Sequence, residues 1–143
     1  MTYMEKYQLW LDQVPEASPV HQELVNLAGQ DKELRERFSE DLTFGTAGLR
    51  GIMGAGTDRM NVYTVRRAAL AYGQYIKAST LPDTCVIAYD TRNNGPLFSK
   101  TCAAALAECG IQVYLFSKPT PTPVLSFAVR HLGTGINYKV LEN

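Results

Sequence analysis

Apolar residues step along the chain in patterns that change twice. Met4, Tyr7 and Leu11 recur at three- and four-residue intervals, so the chain opens with a helix bearing one apolar face. Ser18-Pro19 pairs a cap residue with a first-turn proline and leads a second helix over Val20–Leu27, which Gly29 ends. Asp31 reads as the cap of a third helix, with Leu34 and Phe38 facing inward and Arg35 and Arg37 facing out. From Thr43 the texture shifts, and glycines crowd the stretch from Gly45 to Gly56. A long helix then starts near Asn61, its buried stripe running through Val62, Val65, Ala69, Tyr72 and Ile76. Leu81-Pro82-Asp83 breaks it. The short apolar run Cys85–Tyr89 suits a central strand, and Asn93-Asn94-Gly95-Pro96 makes a loop. Phe98, Cys102, Leu106 and Cys109 form another helical stripe, closed by Gly110, before a strand at Gln112–Phe116. Thr122-Pro123 opens a further helix through Val124, Phe127, Ala128 and His131 to Gly133, and a last strand begins near Gly135.

Strands alternating with helices predict an α/β fold: a three-layer α/β/α domain on a mostly parallel mixed sheet. Residues 1–42 read as a helical N-terminal extension and 43–143 as the domain proper. In parallel-sheet folds ligands sit beyond the carboxyl ends of the strands. The loops after Tyr89, Phe116 and Ile136 belong to that edge.

The totals narrow the partners. The 143 residues are 45% hydrophobic, and fourteen basic side chains cancel fourteen acidic ones. That balance argues against nucleic acid, whose binding depends on clustered cationic excess, though a local site for one phosphate fits. Cys85, Cys102 and Cys109 are odd in number and contain no Cys-x-x-Cys, which suggests buried free thiols in a reducing cytoplasm. Glu5 and Asp12 flank Trp10 with no long apolar run, so the start reads neither as a signal peptide nor as a membrane span.

Three loops could carry chemistry. In Phe44-Gly45-Thr46-Ala47-Gly48-Leu49-Arg50-Gly51, glycines let backbone amides approach an anion and Arg50 adds a two-pronged donor; a tight turn with a surface arginine explains the same residues. No Gly-Lys-Ser/Thr follows, and no Gly-x-Gly-x-x-Gly spacing occurs, so the loop is neither a Walker loop nor a dinucleotide fingerprint. Asp90-Thr91-Arg92-Asn93-Asn94-Gly95 lies between a strand end and a helix start, where amides and dipole favour an anion beside Arg92; a capping loop with a solvated arginine is the alternative. Thr120-Pro121-Thr122-Pro123 forms a stiff extended loop over the same edge. His21 and His131 lack a second ligand nearby and read as structural. Arg66 and Arg67 fall on the outer face of their helix.

The glycine block resembles the N-terminal signature of the α-D-phosphohexomutases, the family of phosphoglucomutases and phosphomannomutases. The Tyr89–Arg92 loop, the Pro-Thr-Pro loop and Asn137-Tyr138-Lys139-Val140 resemble later landmarks of the same first domain, in the same order. The helical leader and Asp58-Arg59-Met60-Asn61 look most like the longer phosphoglucomutase and phosphopentomutase branch. The resemblance implies a mutase that moves a phosphoryl group between two hydroxyls of a sugar phosphate, through a phosphoserine held by Mg²⁺ and a sugar 1,6-bisphosphate intermediate. It implies phosphate contacts at Gly45, Thr46 and Asn137, charge stabilisation by Arg50 and Arg92, and general acid/base work by Lys139. Phosphomannomutase or phosphopentomutase activity is the near alternative to phosphoglucomutase activity.

The sequence departs from that family at two points. The family carries Thr-Ala-Ser-His-Asn-Pro and a short link where Ile136 here runs straight into Asn137, so roughly a dozen residues are missing, the length of a functional loop. Either a serine loop belongs to the molecule and disorder hides it, or a deletion has left a non-catalytic sugar-phosphate-binding module. The landmarks kept on both sides point to the first. The family also has later domains, which complete the active-site cleft and supply the Asp cluster for the metal. A lone first domain is therefore expected to be inactive and to need those domains as partners. No metal ligand is assigned within the present sequence.

Overall fold

The structure is a computed structural model that describes residues 1–45, 48–49, 51–89, 94–119 and 137–140, with the backbone alone at 44–45, 48–49 and 137–140. It parts into two compact units, Met1–Thr64 and Val65–Glu142.

In the first unit, helices α1 (Tyr3–Gln13), α2 (Pro19–Asn26) and α3 (Asp31–Phe38) enclose a small core. Thr2 caps α1 by accepting from Glu5 N, and Ser18 caps α2 by accepting from Val20 N, with Pro19 in the first turn. Gly29, at φ +82°, turns the chain out of α2, a conformation that glycine adopts without a Cβ penalty. Tyr7, Val14, Leu24, Leu27, Leu34, Phe38 and Ala55 are buried together. Tyr7 and Trp10 each present an edge to the Phe38 ring at 5.7 Å between centroids.

Three expectations change here. Met4 is 45% exposed; the inward face of α1 runs instead through Tyr3, Tyr7, Trp10 and Leu11. Asp31 is the first helical residue of α3 rather than its cap, a place held by Gln30. Arg37 does not face out: its side chain is only 17% exposed and is held by Glu23 and Glu33.

The glycine block begins with a two-stranded antiparallel pair, β1 (Phe44–Gly45) and β2 (Gly48–Leu49), in which Gly45 faces Gly48. The loop after it folds back onto the helical leader. Leu42 N donates to Thr57 O at 2.8 Å and Asp58 N to Arg37 O at 3.0 Å. Thr57 Oγ1 donates to Glu40 O at 2.6 Å. These bonds are why the first unit extends to Thr64 rather than stopping at residue 42, where the sequence pattern changes.

Helix α4 (Val62–Ala78) leads into the second unit, which contains strand β3 (Thr84–Tyr89), helix α5 (Gly95–Glu108), β4 (Gln112–Leu115) and β5 (Asn137–Val140). The sheet order is β4-β3-β5, and both pairings are parallel. The fold is therefore α/β. Among the described residues the main sheet is wholly parallel, and the antiparallel pairing belongs to the separate β1-β2 ribbon. Cys85, Val86, Ile87 and Ala88 are at most 1% exposed, as a central strand requires. Phe98, Cys102 and Leu106 of α5 are equally buried, and α5 packs on β3 and β4. Gly73 of α4 sits so close to Cys109 that a Cβ there would lie 2.7 Å from its Sγ.

The last strand, expected to begin near Gly135, is described from Asn137 to Val140. The sequence is continuous from Ile136 to Asn137, so no hidden loop separates them. With nothing between, Asn137–Val140 pairs directly along the open edge of β3, from Val86 to Tyr89. The predicted helix from Thr122 to Gly133 lies outside the described residues.

Candidate functional site

Two places were expected to carry chemistry, and each lies in its own unit. In the second unit the relevant edge is the carboxyl end of the sheet. Strand β3 ends at Tyr89, opposite Val140 of β5, and Lys139 pairs with Ala88 one step earlier. The backbone of Lys139 thus stands beside the end of the strand that leads, within three residues, to Arg92. Asn137 pairs with Val86, deeper in the sheet. Both residues belong to a strand, whereas the sequence pattern had put them in a loop beyond one. Arg92 itself and the Thr120–Pro123 loop lie outside the described residues, so the structure brings Lys139 to the expected edge without describing its partners there.

In the first unit, Gly45 closes the β1-β2 ribbon against Gly48, while Thr46 and Arg50 fall outside the described residues. The segment that follows is well defined. Met60 N donates to Ile52 O at 2.8 Å, and Gly54 N donates to Met60 O at 3.1 Å, so residues 51–60 double back on themselves. Asn61 organises this turn from both ends of its amide. Its Oδ1 accepts from Tyr63 N at 3.0 Å and Thr64 N at 3.1 Å, capping α4. Its Nδ2 donates to Gly54 O at 2.9 Å and Gly56 O at 3.1 Å, tying down the glycine loop. Arg37 grips the same loop from beneath, donating to Ala55 O at 3.2 Å while meeting Glu23 at 2.6 Å and Glu33 at 3.1 Å. Burial alone would lower the Arg37 pKa, but the hydrogen bonds and charges of the two glutamates outweigh it and hold the pKa above its ordinary value. Gly56, at φ +131°, passes so near α3 that a Cβ would come within 2.7 Å of Arg37 O.

Sequence reasoning missed Arg37 and the amide donors of Asn61. The sequence pattern started a helix near Asn61, but nothing local announced that its amide end reaches back seven residues. Arg66 and Arg67 were assigned to an outer face. Arg66 indeed forms a two-pronged surface pair with Glu108, at 2.6 and 3.2 Å, which raises the arginine pKa and lowers that of the carboxyl. Cys85, Cys102 and Cys109 are free thiols. Among the described residues no three His, Cys, Asp or Glu side chains lie together to hold a metal ion, and no helix is long and apolar enough to cross a membrane.

Comparison with known proteins gives this arrangement a context. Residues 41–138 match the model of the family described as phosphoglucomutase/phosphomannomutase, alpha/beta/alpha domain I. Phosphoglucomutases of Staphylococcus aureus strains USA300 and MRSA252 are each 46% identical to this chain over 104 residues. The alignment takes in 73% of this chain and 19% of theirs, so the chain spans less than a quarter of the curated relatives it matches. No solved structure matches the chain significantly.

Proposed function

Because this chain belongs to the phosphoglucomutase and phosphomannomutase family, as its domain I, we propose that it recognises the phosphoryl group of a sugar phosphate without itself transferring it. The observation that carries this reading is the direct junction of Ile136 to Asn137 within a matched domain I. Each of two places offers donors for a phosphoryl group: Arg50 with Gly45 and Thr46 in the glycine block, and Arg92 with Lys139 at the sheet edge, with Asn137 deeper along β5. Guanidinium forks and backbone amides suit a phosphoryl dianion. Transfer through a phosphoserine requires the serine loop, and Ser126 is the last serine in the chain. In a chain holding that loop and the later domains, the same residues would serve phosphoglucomutase chemistry, with phosphomannomutase or phosphopentomutase specificity as the near alternative.

Among the described residues nothing fits Mg²⁺. The described residues hold no cluster of metal-binding side chains, and the serine loop is missing, so no step is assigned to it. We also propose the three-layer arrangement. The sheet order β4-β3-β5 reverses direction after β4. Right-handed crossovers then put the connection from β4 to β5 on the face opposite α5, where the helix predicted from Thr122 to Gly133 would form the third layer. The free thiols suit a reducing compartment, which supports a cytoplasmic setting.

The test uses the 143-residue chain with glucose 1-phosphate. Calorimetry should record saturable binding that Arg50→Ala or Arg92→Ala weakens roughly 10-fold or more, the effect of a lost charge-assisted hydrogen bond. A coupled assay should record no glucose 6-phosphate. Turnover by the purified chain, or binding that both variants leave intact, would sink the reading.

A further inference from the structure

Strand β4 forms one border of the main sheet, and among the described residues its sole strand neighbour is β3. Gln112 N donates to Asp83 O at 2.9 Å and Phe116 N to Ile87 O at 3.0 Å, so residues 112, 114 and 116 turn their backbone groups toward β3. Alternation then turns the N–H and C=O of Val113 and Leu115 outward. Two donors and two acceptors in a row are what an edge offers to another strand.

The side chains of β4 suit the same use. Leu115 is 39% exposed, and Val113, Tyr114 and Phe116 are half-buried. Tyr114 and Phe116 pack on Val86 and Ala88, which leaves Val113 and Leu115 on the other face of the sheet. Natural edges are blunted by charged residues or prolines. Gln112–Phe116 has neither, and Lys118 and Pro119 come only beyond it.

What covers this edge must be an uncharged, apolar strand with two donors and two acceptors of its own. The strand itself meets that description. With a two-fold axis at Tyr114 and a second copy running antiparallel, Val113 faces the partner's Leu115, and Leu115 faces the partner's Val113. All four outward groups then pair. The two Tyr114 side chains meet at the closer, non-hydrogen-bonded position, where cross-strand aromatic pairs are favourable. Charge does not oppose the approach. Fourteen basic side chains balance fourteen acidic ones, so no net charge repels one copy from another. The carboxylates flanking β4 are already answered, Glu108 by Arg66 at 2.6 Å and Asp83 by Lys77 at 2.8 Å.

We propose that the β4 edge is a self-association surface, on which a second copy of this chain adds its own β4 antiparallel and joins the two three-stranded sheets into one. The two-fold uses each β4 edge once and stops at the dimer. One short strand pair lies at the small end of protein interfaces, so the association is weak, with Kd on the order of 10 µM.

Sedimentation equilibrium of the full chain, from about 1 µM to about 1 mM, should pass from monomer to dimer. Leu115→Pro removes an outward N–H and keeps the β4 donors that β3 uses, and proline is tolerated at such an edge position; it should weaken the dimer roughly 10-fold or more. Leu115→Lys installs the charge that natural edges carry and should act likewise; it decides the matter if Leu115→Pro fails to fold. Under mild oxidation Tyr114→Cys should crosslink across the axis well above the wild-type background of three free thiols. Failure of that crosslink in a chain that still dimerises overturns the register at Tyr114. A wild-type chain that stays monomeric throughout leaves the edge to some other strand and overturns the proposal. So does a dimer that both Leu115 variants leave as strong as wild type, or growth beyond the dimer.

Discussion

Substituting Gly73 by alanine sets two known effects against each other. Replacing glycine by alanine inside a helix ordinarily gains about 1 kcal/mol, and Gly73 lies within α4. Here the new methyl would lie 2.7 Å from Cys109 Sγ, 3.0 Å from Cys109 Cβ and 3.3 Å from Leu106 Cδ2. Carbon contacts are most favourable near 3.5–4.0 Å, so the nearest overlap approaches a full ångström. Overpacking of that kind costs about 1–3 kcal/mol. The net expectation for Gly73→Ala is a loss of about 1 kcal/mol, which for a chain of this length lowers the unfolding midpoint by roughly 4 °C. Cys109→Ala removes the sulfur and most of the conflict, so in that background the alanine should become neutral or stabilising. The assay is a double-mutant cycle by urea denaturation, with an expected coupling of about 1–2 kcal/mol. Stabilisation by Gly73→Ala in the wild-type background, or a coupling below about 0.5 kcal/mol, would refute the claim that these two positions are in close contact.

Two further substitutions probe the cores of the two units. Asn61→Ala should cost about 2–4 kcal/mol, about 1 for the lost cap of α4 and the rest for two loop carbonyls left without their donor; Asn61→Asp, which keeps only the cap, should recover about half in urea titrations, and full recovery would show that the amide donors hold nothing. Burial, with a smaller contribution from the nearby Cys102, pushes the Cys85 thiol up to about 12 from its ordinary 9.0. The unfolded chain then releases this proton first, so the associated stability is intact below pH 9 and is lost as pH rises toward 12. Wild type should lose up to ~1.4 kcal/mol per pH unit more than Cys85→Ala across that window, and parallel pH profiles would contradict the assignment.

The elements of this fold were legible wherever a local pattern decided them. The α2 cap at Ser18-Pro19, the α4 and α5 stripes and the central run Cys85–Tyr89 all depend on neighbours within a turn or a strand. What escaped depends on distant partners. Arg37 looks like any surface arginine until Glu23 and the Ala55 carbonyl are folded against it. Asn137–Val140 looked like a segment beyond a strand because its landmarks suggested a longer connection, and the open edge of β3 claimed it instead. The candidate site was legible as a set of ordered motifs. The structure adds the ribbon geometry around Gly45 and the place of Lys139 along β3, while Thr46, Arg50 and Arg92 are known from the sequence alone.

The grip of α3 on the glycine loop bears on how such a gene can be cut and rejoined. A recombination or truncation point at residue 42 looks natural, since the composition changes there and the family match begins at residue 41. Severing the chain at that point would strip the loop of Arg37, of the Glu40 carbonyl that Thr57 uses, and of the Leu42 amide that bonds Thr57 O. The first sixty-four residues form one compact unit. A transplant that carries the signature motif without its helical leader would leave the loop at residues 55–58 without the partners that hold it.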